Sequence, residues 1–433
     1  MFWDKKLRRW AEAVRARADL PARLVLWNGE QFDFGRFEQP RVTLTVRSAS
    51  ALPLLLDPSL DHLGQAYVKG QIDIDGRLPD IIDFGYALAR RMSKTQGAGK
   101  GPGRLALAAR AARRFRHSRS TDRESIQYHY DVSDDFYRLW LDEGMVYSCA
   151  YFENGDEDLA TAQLKKIDHI LEKIQLKPGH TLLDIGCGWG ALVLRAAQKF
   201  GARCVGVTLS RNQYALARER VEAAGLGDRI EIRLQDYRDV TGTFDRITSV
   251  GMFEHVGTRF HDAFFRQCRE LLSDDGVMLL HFIGNSDVPD FNNPWIERYI
   301  FPGGHIPSLS EFTPAIERSG LVVTDIEVLR LHYARTLRLW RERFMARRDE
   351  AAALYDERFC RMWEFYLSMS EAAFRYQDIA IFQVQLARRQ EAVPLTRDYV
   401  AERSQALRER EPPPGATQAA AVSQARRADA PAG

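Results

Sequence analysis

Residues 181–190 read Thr-Leu-Leu-Asp-Ile-Gly-Cys-Gly-Trp-Gly. The apolar run closes on the acid Asp184, a turn dense in glycine follows, and a helical stretch runs from Ala191 to Phe200. Glycines let a backbone approach a ligand that any Cβ would hold off. The helix behind such a turn offers unpaired N–H groups and the positive end of its dipole. Strand, turn and helix in this order predict a parallel α/β sheet that grips a nucleoside at the strand's carboxyl end. The spacing is Asp-x-Gly-x-Gly-x-Gly, not the Gly-x-Gly-x-x-Gly of a dinucleotide loop. A structural tight turn after any parallel strand has a similar look.

Outward from this stretch the pattern alternates. Strands are expected at Thr181–Ile185, Arg203–Val207, Ile230–Leu234, Phe244–Val250, Val277–Ile283 and Leu321–Val328, with helices between them, among them Arg211–Ala224 and His261–Leu272. Ligands of such open sheets lie over the carboxyl ends of the strands. The second strand ends at Thr208, Leu209 and Ser210, with Gln213 one turn on. Many nucleoside sites carry an acid there for the ribose hydroxyls, and here Thr208 and Gln213 must take its place. The third strand leads to Asp236 and Tyr237, suited to an adenine amino group and a ring face; the fourth leads to Glu254, and the fifth holds His281 and Ile283. Beyond Tyr333 the pattern reads as helix over 336–348, 351–374 and 377–389.

The 433 residues suffice for two domains with real cores. Residues 1–95 read as a small domain, with strands at Leu24–Trp27 and Val42–Val46 and a helix over 79–92. An opening helix puts Phe2 or Trp3, Leu7, Trp10 and Val14 on one side amid basic residues, a pattern that suits a membrane surface and equally suits packing on its own domain. A flexible, basic linker covers 96–123, and a catalytic domain 124–400. A Pro- and Ala-rich tail over 401–433 is expected to be disordered. Residues 1–123 hold 23 lysines and arginines against 13 acidic residues, within a chain of net charge +2. That asymmetry points to an anionic partner; nucleic acid and anionic lipid both qualify, as does a merely solvated surface. No run reaches the ~18 apolar residues of a membrane span, and the N-terminus lacks the pattern of a secretory signal. The five cysteines are scattered without metal-ligand spacing, and their odd number in a chain of this size argues for a reducing cytoplasm and against a disulfide framework.

The glycine turn resembles the S-adenosylmethionine turn of class I methyltransferases. Further stretches sharpen this: YHYDVSDDFYRLWL (128–141), YSCAYF (147–152), LLDIGCGWG (182–190), GVTLSRNQ (206–213), FEHVG (253–257), LHFIG (280–284), FPGG (301–304) and HYARTLRLW (332–340). Together they resemble the cyclopropane-fatty-acyl-phospholipid synthase family, to which mycolic acid cyclopropane synthases are related. The resemblance spans roughly 128–385. It implies a Rossmann-like α/β sheet with a helical cap, preceded by a small N-terminal α+β domain that docks on lipid. It implies S-adenosylmethionine as cofactor, bound by Tyr147, Ser148, Asp184, Gly186, Gly188, Thr208, Leu209, Gln213, Asp236 and Tyr237. Asp184 is expected to organise the turn or to reach the cofactor's amino group through water. The resemblance also implies a bound bicarbonate held by Cys149, Glu254, His281, Tyr333 and the backbone of Ile283, which accepts the proton when a methylene is added to an acyl double bond.

Phe136, Trp140, Phe291, Trp295 and Phe301 are candidate liners of a lipid channel. The implied partner is an unsaturated membrane phospholipid, with no nucleic acid. The implied setting is a homodimer attached peripherally to the inner leaflet of the cytoplasmic membrane. Taken singly, the site residues have plain structural readings: Cys149 as a buried small residue, Glu254 as a helix cap, His281 as a core histidine, Tyr333 as packing. Methyl branching of a fatty chain and amine N-methylation are the rival reactions on the same scaffold.

Overall fold

The computed structural model describes residues 8–9, 11–16, 19–51, 60–93, 132–287 and 293–410. The first part contains β1 (Ala22–Val25), β2 (Gln31–Asp33), β3 (Val42–Val46), α1 (Leu60–Val68), β4 (Ile72–Gly76) and α2 (Leu78–Ser93). Its sheet has the order β2-β1-β3-β4. β1 and β3 run parallel and the two outer pairs antiparallel. Along β1, Ala22 and Leu24 are buried while Arg23 and Val25 are half-buried, the period-two signature of a sheet with one covered face. Of the opening helix, Ala11 and Val14 are buried in this core. The packing alternative therefore holds for those two; Phe2, Trp3, Leu7 and Trp10 lie outside the described residues, as does the basic linker.

The second part runs through α3 (Asp134–Arg138), α4 (Leu159–Lys173), β5 (Thr181–Ile185), α5 (Ala191–Phe200), β6 (Arg203–Thr208), α6 (Arg211–Ala223), β7 (Ile230–Leu234), β8 (Phe244–Val250), α7 (His261–Leu271) and β9 (Leu272–Asn285). It closes with α8 (Pro294–Tyr299), α9 (Leu309–Ser319), β10 (Val322–Leu329), α10 (His332–Ala346), α11 (Arg348–Leu354), α12 (Glu357–Tyr376), β11 (Ile379–Ala387) and α13 (Asp398–Arg410). The sheet has seven strands in the order β10-β11-β9-β8-β5-β6-β7. Strands β5 to β9 pair in parallel, and β11 is antiparallel to both neighbours. Strand order reverses at β5, so the crevice over its carboxyl end is the switch point where ligands bind.

Three expectations are corrected here. Residues 377–389, read as helix, contain β11, which lies between β9 and β10. All but Ile379 of its nine residues are buried. A strand covered on both faces loses the alternation that betrays a strand, and an apolar run preceded by long helices then passes for one more. The stretch read as a disordered tail begins inside α13, which packs on α4 through a hydrogen bond from Ser404 to Glu172 and on the residues just after α4 through one from Arg403 to the Leu176 carbonyl. Residues 411–433 lie outside the described residues. The segment read as one helix over 351–374 is two, broken at Tyr355 and restarted by Asp356, whose side chain caps the Phe359 N–H.

Apolar side chains cover both faces of the large sheet. Met278, Leu280 and Phe282 of β9 enter one layer, Val277 and Leu279 the other. A third cluster joins the helical cap to the N-terminal part. Helix α12 forms that seam. Its Arg361 donates to the carbonyls of Tyr67 and Ile72 and to Asp73, and Tyr67 donates to Glu364 at 2.8 Å. Among the described residues no helix is long and apolar enough to cross a membrane.

Candidate active site

Three glycines make the turn after β5 possible. Gly186, Gly188 and Gly190 all have positive φ, at 84°, 54° and 85°. At Gly186 an added Cβ would also lie 3.0 Å from Met252. The turn is tied back to β6, because the N–H groups of Gly186 and Cys187 both donate to the Val207 carbonyl, at 2.9 and 3.0 Å. From α6, Arg220 donates to the carbonyls of Trp189 and Gly144. The Trp189 indole donates to Asp134 of α3 at 2.8 Å.

Over this turn opens a cleft of about 1190 Å³, counted to its open mouth. Tyr147, Ser148, Asp184, Gly186, Gly188, Thr208, Leu209, Gln213, Asp236 and Tyr237 all line it. Asp184 accepts from Thr248 at 2.8 Å, and burial pushes its pKa up to about 6. Thr208 donates to the Gln213 carbonyl oxygen at 2.9 Å. Both Asp236 oxygens already accept from Arg238, so an adenine amino group would have to use their remaining lone pairs.

One lining residue gave no signal in the sequence. Lys166 is 2 % exposed, donates to the Ser148 hydroxyl at 2.6 Å, and has its pKa lowered to about 8 by burial. Beside it Gln163 donates to the carbonyls of Val146 and Ser148. Gln163, Lys166, His169 and Lys173 follow one another at helical spacing, and all four are buried. Helix α4 is covered on most of its circumference, with Leu164 on the face left open.

Past the cleft lie the other predicted residues. Gly251 donates to the His281 carbonyl at 2.8 Å, which brings the ends of β8 and β9 together. The Glu254 carbonyl accepts from His305 at 2.8 Å, so the segment after FPGG is latched onto the same point. The Ile283 N–H donates to Glu254 Oε1 at 2.8 Å. This N–H belongs to the backbone expected to face an anion, and strand β9 carries it past the Glu254 carboxylate. Glu254 Oε2 and His281 Nε2 are both buried without a protein partner. Burial pushes Glu254 up to about 7 and the His281 ring well below its ordinary value.

Cys149 and Tyr333 sit in the apolar cluster under the cap, with Ile283 packed against it. Thr336 of α10 accepts from the Ala150 N–H at 3.1 Å, and His332 Nδ1 accepts from the Phe152 N–H at 3.0 Å; these bonds pin the YSCAYF segment to the helix that carries Tyr333. Burial raises the Cys149 thiol far above its ordinary value, which removes it as a nucleophile. The Tyr147 hydroxyl lies 2.8 Å from that of Tyr366.

The channel candidates divide. Phe136 and Trp140 are fully buried among Tyr137, Tyr147, Trp340 and Trp363. Phe301 is half-buried between His255 and Tyr366. Trp295 is fully buried against Phe365, where Gly64 of α1 approaches, so it packs the seam with the N-terminal part. Phe291 lies outside the described residues. Among the described residues no cluster of His, Cys, Asp or Glu suits a metal ion.

The family profile described as Mycolic acid cyclopropane synthetase matches residues 117–384, and one described only as a domain of unknown function matches residues 9–96. A probable fatty acid methyltransferase of Pseudomonas putida is 40% identical over 84% of this chain and 91% of its own length. The cyclopropane-fatty-acyl-phospholipid synthase of Escherichia coli is 44% identical over 60% of this chain, which spans 66% of that protein. Among solved structures, a mycolic acid cyclopropane synthase complexed with S-adenosylhomocysteine and the detergent CTAB is 39% identical, with a TM-score of 0.58 over 61% of this chain and 97% of that one. The sheet and its helices have the class I methyltransferase fold.

Proposed function

Because the chain belongs to the mycolic acid cyclopropane synthetase family, and is an S-adenosylmethionine-dependent methyltransferase, we propose that it adds a methylene across the double bond of an unsaturated acyl chain in a membrane phospholipid. The observation that carries this reading is the pair of buried polar atoms without partners, Glu254 Oε2 and His281 Nε2, at adjoining strand ends beside the cofactor cleft.

The alkene π pair attacks the sulfonium methyl carbon as its bond to sulfur breaks. The neighbouring carbon is left as a cation. Loss of a proton from the new methyl returns its C–H electron pair to close the ring. The protein must therefore exclude water, steady a positive charge and present no side chain that the cation would alkylate. Half-buried Tyr147 lines the cleft with an electron-rich ring face and packs on the fully buried Trp140 and Trp340 behind it. The Glu254 carboxylate supplies negative field in a site of low dielectric.

Bicarbonate fits the donor set. It has one O–H to give to Glu254 Oε2 and oxygens to accept from His281 Nε2, and the family resemblance adds Cys149 and Tyr333 to the set. Bound there, it would supply the base for the released proton. The cofactor fits the cleft: the glycine turn admits it closely, Tyr147, Ser148 and Lys166 suit its amino-acid end, and Thr208, Gln213, Asp236 and Tyr237 its nucleoside.

In this reading the protein works as a peripheral dimer on the inner leaflet. The basic segment before residue 124 adds roughly 1 kcal/mol of attraction per basic residue near anionic headgroups. The name of the Pseudomonas putida relative favours a second reading, methylation without ring closure. The test is to incubate purified protein with methyl-labelled S-adenosylmethionine and vesicles of unsaturated phospholipid, then analyse the released acyl chains. Label in a cyclopropane supports the first reading and label in a methyl branch selects the second. Unlabelled lipid overturns both. Depleting bicarbonate from the buffer should slow ring formation, and adding it back should restore the rate.

A further inference from the structure

His281 of β9 and Gln383 of β11 stand directly opposite each other in the antiparallel ladder. His281 Nδ1 and Gln383 Nε2 are 3.1 Å apart. On its other side, Gln383 Oε1 accepts from Lys173 Nζ of α4 at 2.9 Å. Lys173 in turn donates to Glu327 of β10, and Glu327 lies 2.8 Å from His169 Nε2. Asp325 is 3.7 Å from Lys173, and Arg397 is 3.3 Å from Asp325. His281, Gln383 and Lys173 are each no more than 1 % exposed, so no solvent intervenes.

We propose that Lys173, acting through Gln383, fixes the tautomer of His281, so that Nδ1 is bare and Nε2 carries the hydrogen as a donor. The reasoning is a satisfaction argument. An ammonium has three donors and no acceptor, so the Gln383 atom facing Lys173 is its carbonyl oxygen. The other end of that amide is then NH2, which only donates, and the Nδ1 it meets must accept. A neutral imidazole with a bare Nδ1 holds its hydrogen on Nε2. Nε2 is the ring atom that finds no protein partner. The chain thus turns His281 into a fixed Nε2–H donor that is buried without a protein partner, as the acceptor Glu254 Oε2 is. A bare Nε2 would set lone pair against lone pair.

Two facts keep the chain in this state. Burial lowers the Lys173 pKa, and the adjoining Glu327 carboxylate opposes it. Despite its own burial, Glu327 is held well below the usual carboxylate range by His169 and Lys173. His281 stays neutral through burial and the neighbouring positive charges of Lys166 and Lys173. Lys173 and Gln383 are positioning residues. Their purpose rests on the function proposed above; the tautomer does not.

The test is 15N NMR of full-length protein labelled in its histidine rings, with His281→Gln as the assignment control, alongside steady-state kinetics. Wild type should show a hydrogen on Nε2 and none on Nδ1. Gln383→Glu keeps the size but replaces the donor by an acceptor, so the hydrogen should move to Nδ1. In that variant kcat should fall roughly 10- to 100-fold, the usual effect of disturbing a group that orients a site residue, with KM for the cofactor within about twofold. Lys173→Met should leave both tautomers populated and give a smaller loss of kcat. A hydrogen on Nδ1 in wild type overturns the proposal, and so does an unmoved hydrogen in Gln383→Glu. The wild-type spectrum decides even if the variants fail to fold. An Nε2 hydrogen in protein that leaves lipid unlabelled keeps the relay and sinks the function; an Nδ1 hydrogen in active protein does the reverse.

Discussion

The backbone N–H of Ile283 donates to one oxygen of Glu254 at 2.8 Å, and the other oxygen of that carboxylate is buried with no protein partner. The bond fixes the carboxylate's rotation, so its open oxygen has one position rather than many. Glu254→Gln keeps the acceptor for Ile283 and puts an NH2 in the open position. We expect kcat to fall roughly 100- to 1,000-fold, the range for losing one preorganised electrostatic group. Binding of S-adenosylhomocysteine, measured by calorimetry, should change less than about threefold. An equal loss of both would reassign Glu254 to the cofactor.

Burial raises Glu254 to about 7, and the pH dependence follows in sign. A carboxyl raised above its unfolded value near 4.3 binds more protons in the native state than in the unfolded one. Its contribution to stability is therefore most favourable below that unfolded value and is lost as pH rises through about 7. Glu254→Gln removes the ionising group, so it should raise the melting temperature of the free protein at pH 8, and the gain should shrink towards pH 5. If ionised Glu254 is the working form, kcat should climb through pH 7 in wild type, and that limb should be absent in the variant. A constant melting difference across the range would show that the carboxyl titrates normally.

Lys166 is a buried cation whose pKa burial lowers to about 8, so the folded chain is disfavoured by its charge below that pH. Lys166→Met should leave the free protein at least as stable at pH 7, because a neutral chain fills the space. Cofactor affinity should fall roughly 10- to 100-fold, the cost of a charge-assisted hydrogen bond of about 1.5–3 kcal/mol. Paired thermal melts and calorimetric titrations check both halves. Unchanged affinity would confine Lys166 to holding Ser148.

Arg361 of α12 joins the two parts of the molecule through Asp73 and two backbone carbonyls. Arg361→Ala leaves all three without that donor. Chemical denaturation should show a loss of roughly 2 kcal/mol, and limited proteolysis should cut before residue 132 faster than in wild type. Equal proteolysis would mean that apolar packing of α1 on α12 holds the seam alone.

The glycine turn was legible because its chemistry is local: positive φ, a strand before and a helix after are all written within residues 181–200. The five parallel strands were legible for the same reason, each carrying its own apolar run between turns. Strand β11 was not, because its burial on both faces erased the period that identifies a strand. Lys166, Lys173 and Gln383 were missed for a related reason. Polar residues at helical spacing look solvated until something covers them, and α13, one of the elements covering α4, was read as disordered tail.

What the sequence by itself determined is the set of reactive groups and the strand ends that carry them, since both depend on neighbours a few residues away. Which oxygen of Glu254 stays open, which ring nitrogen of His281 has no partner, and that a lysine 210 positions from Gln383 reaches its amide were decided only by tertiary structure. The reason is physical: hydrogen-bond satisfaction in a buried site is settled by groups that meet across the sheet, and no local stretch of chain contains both halves of those pairs.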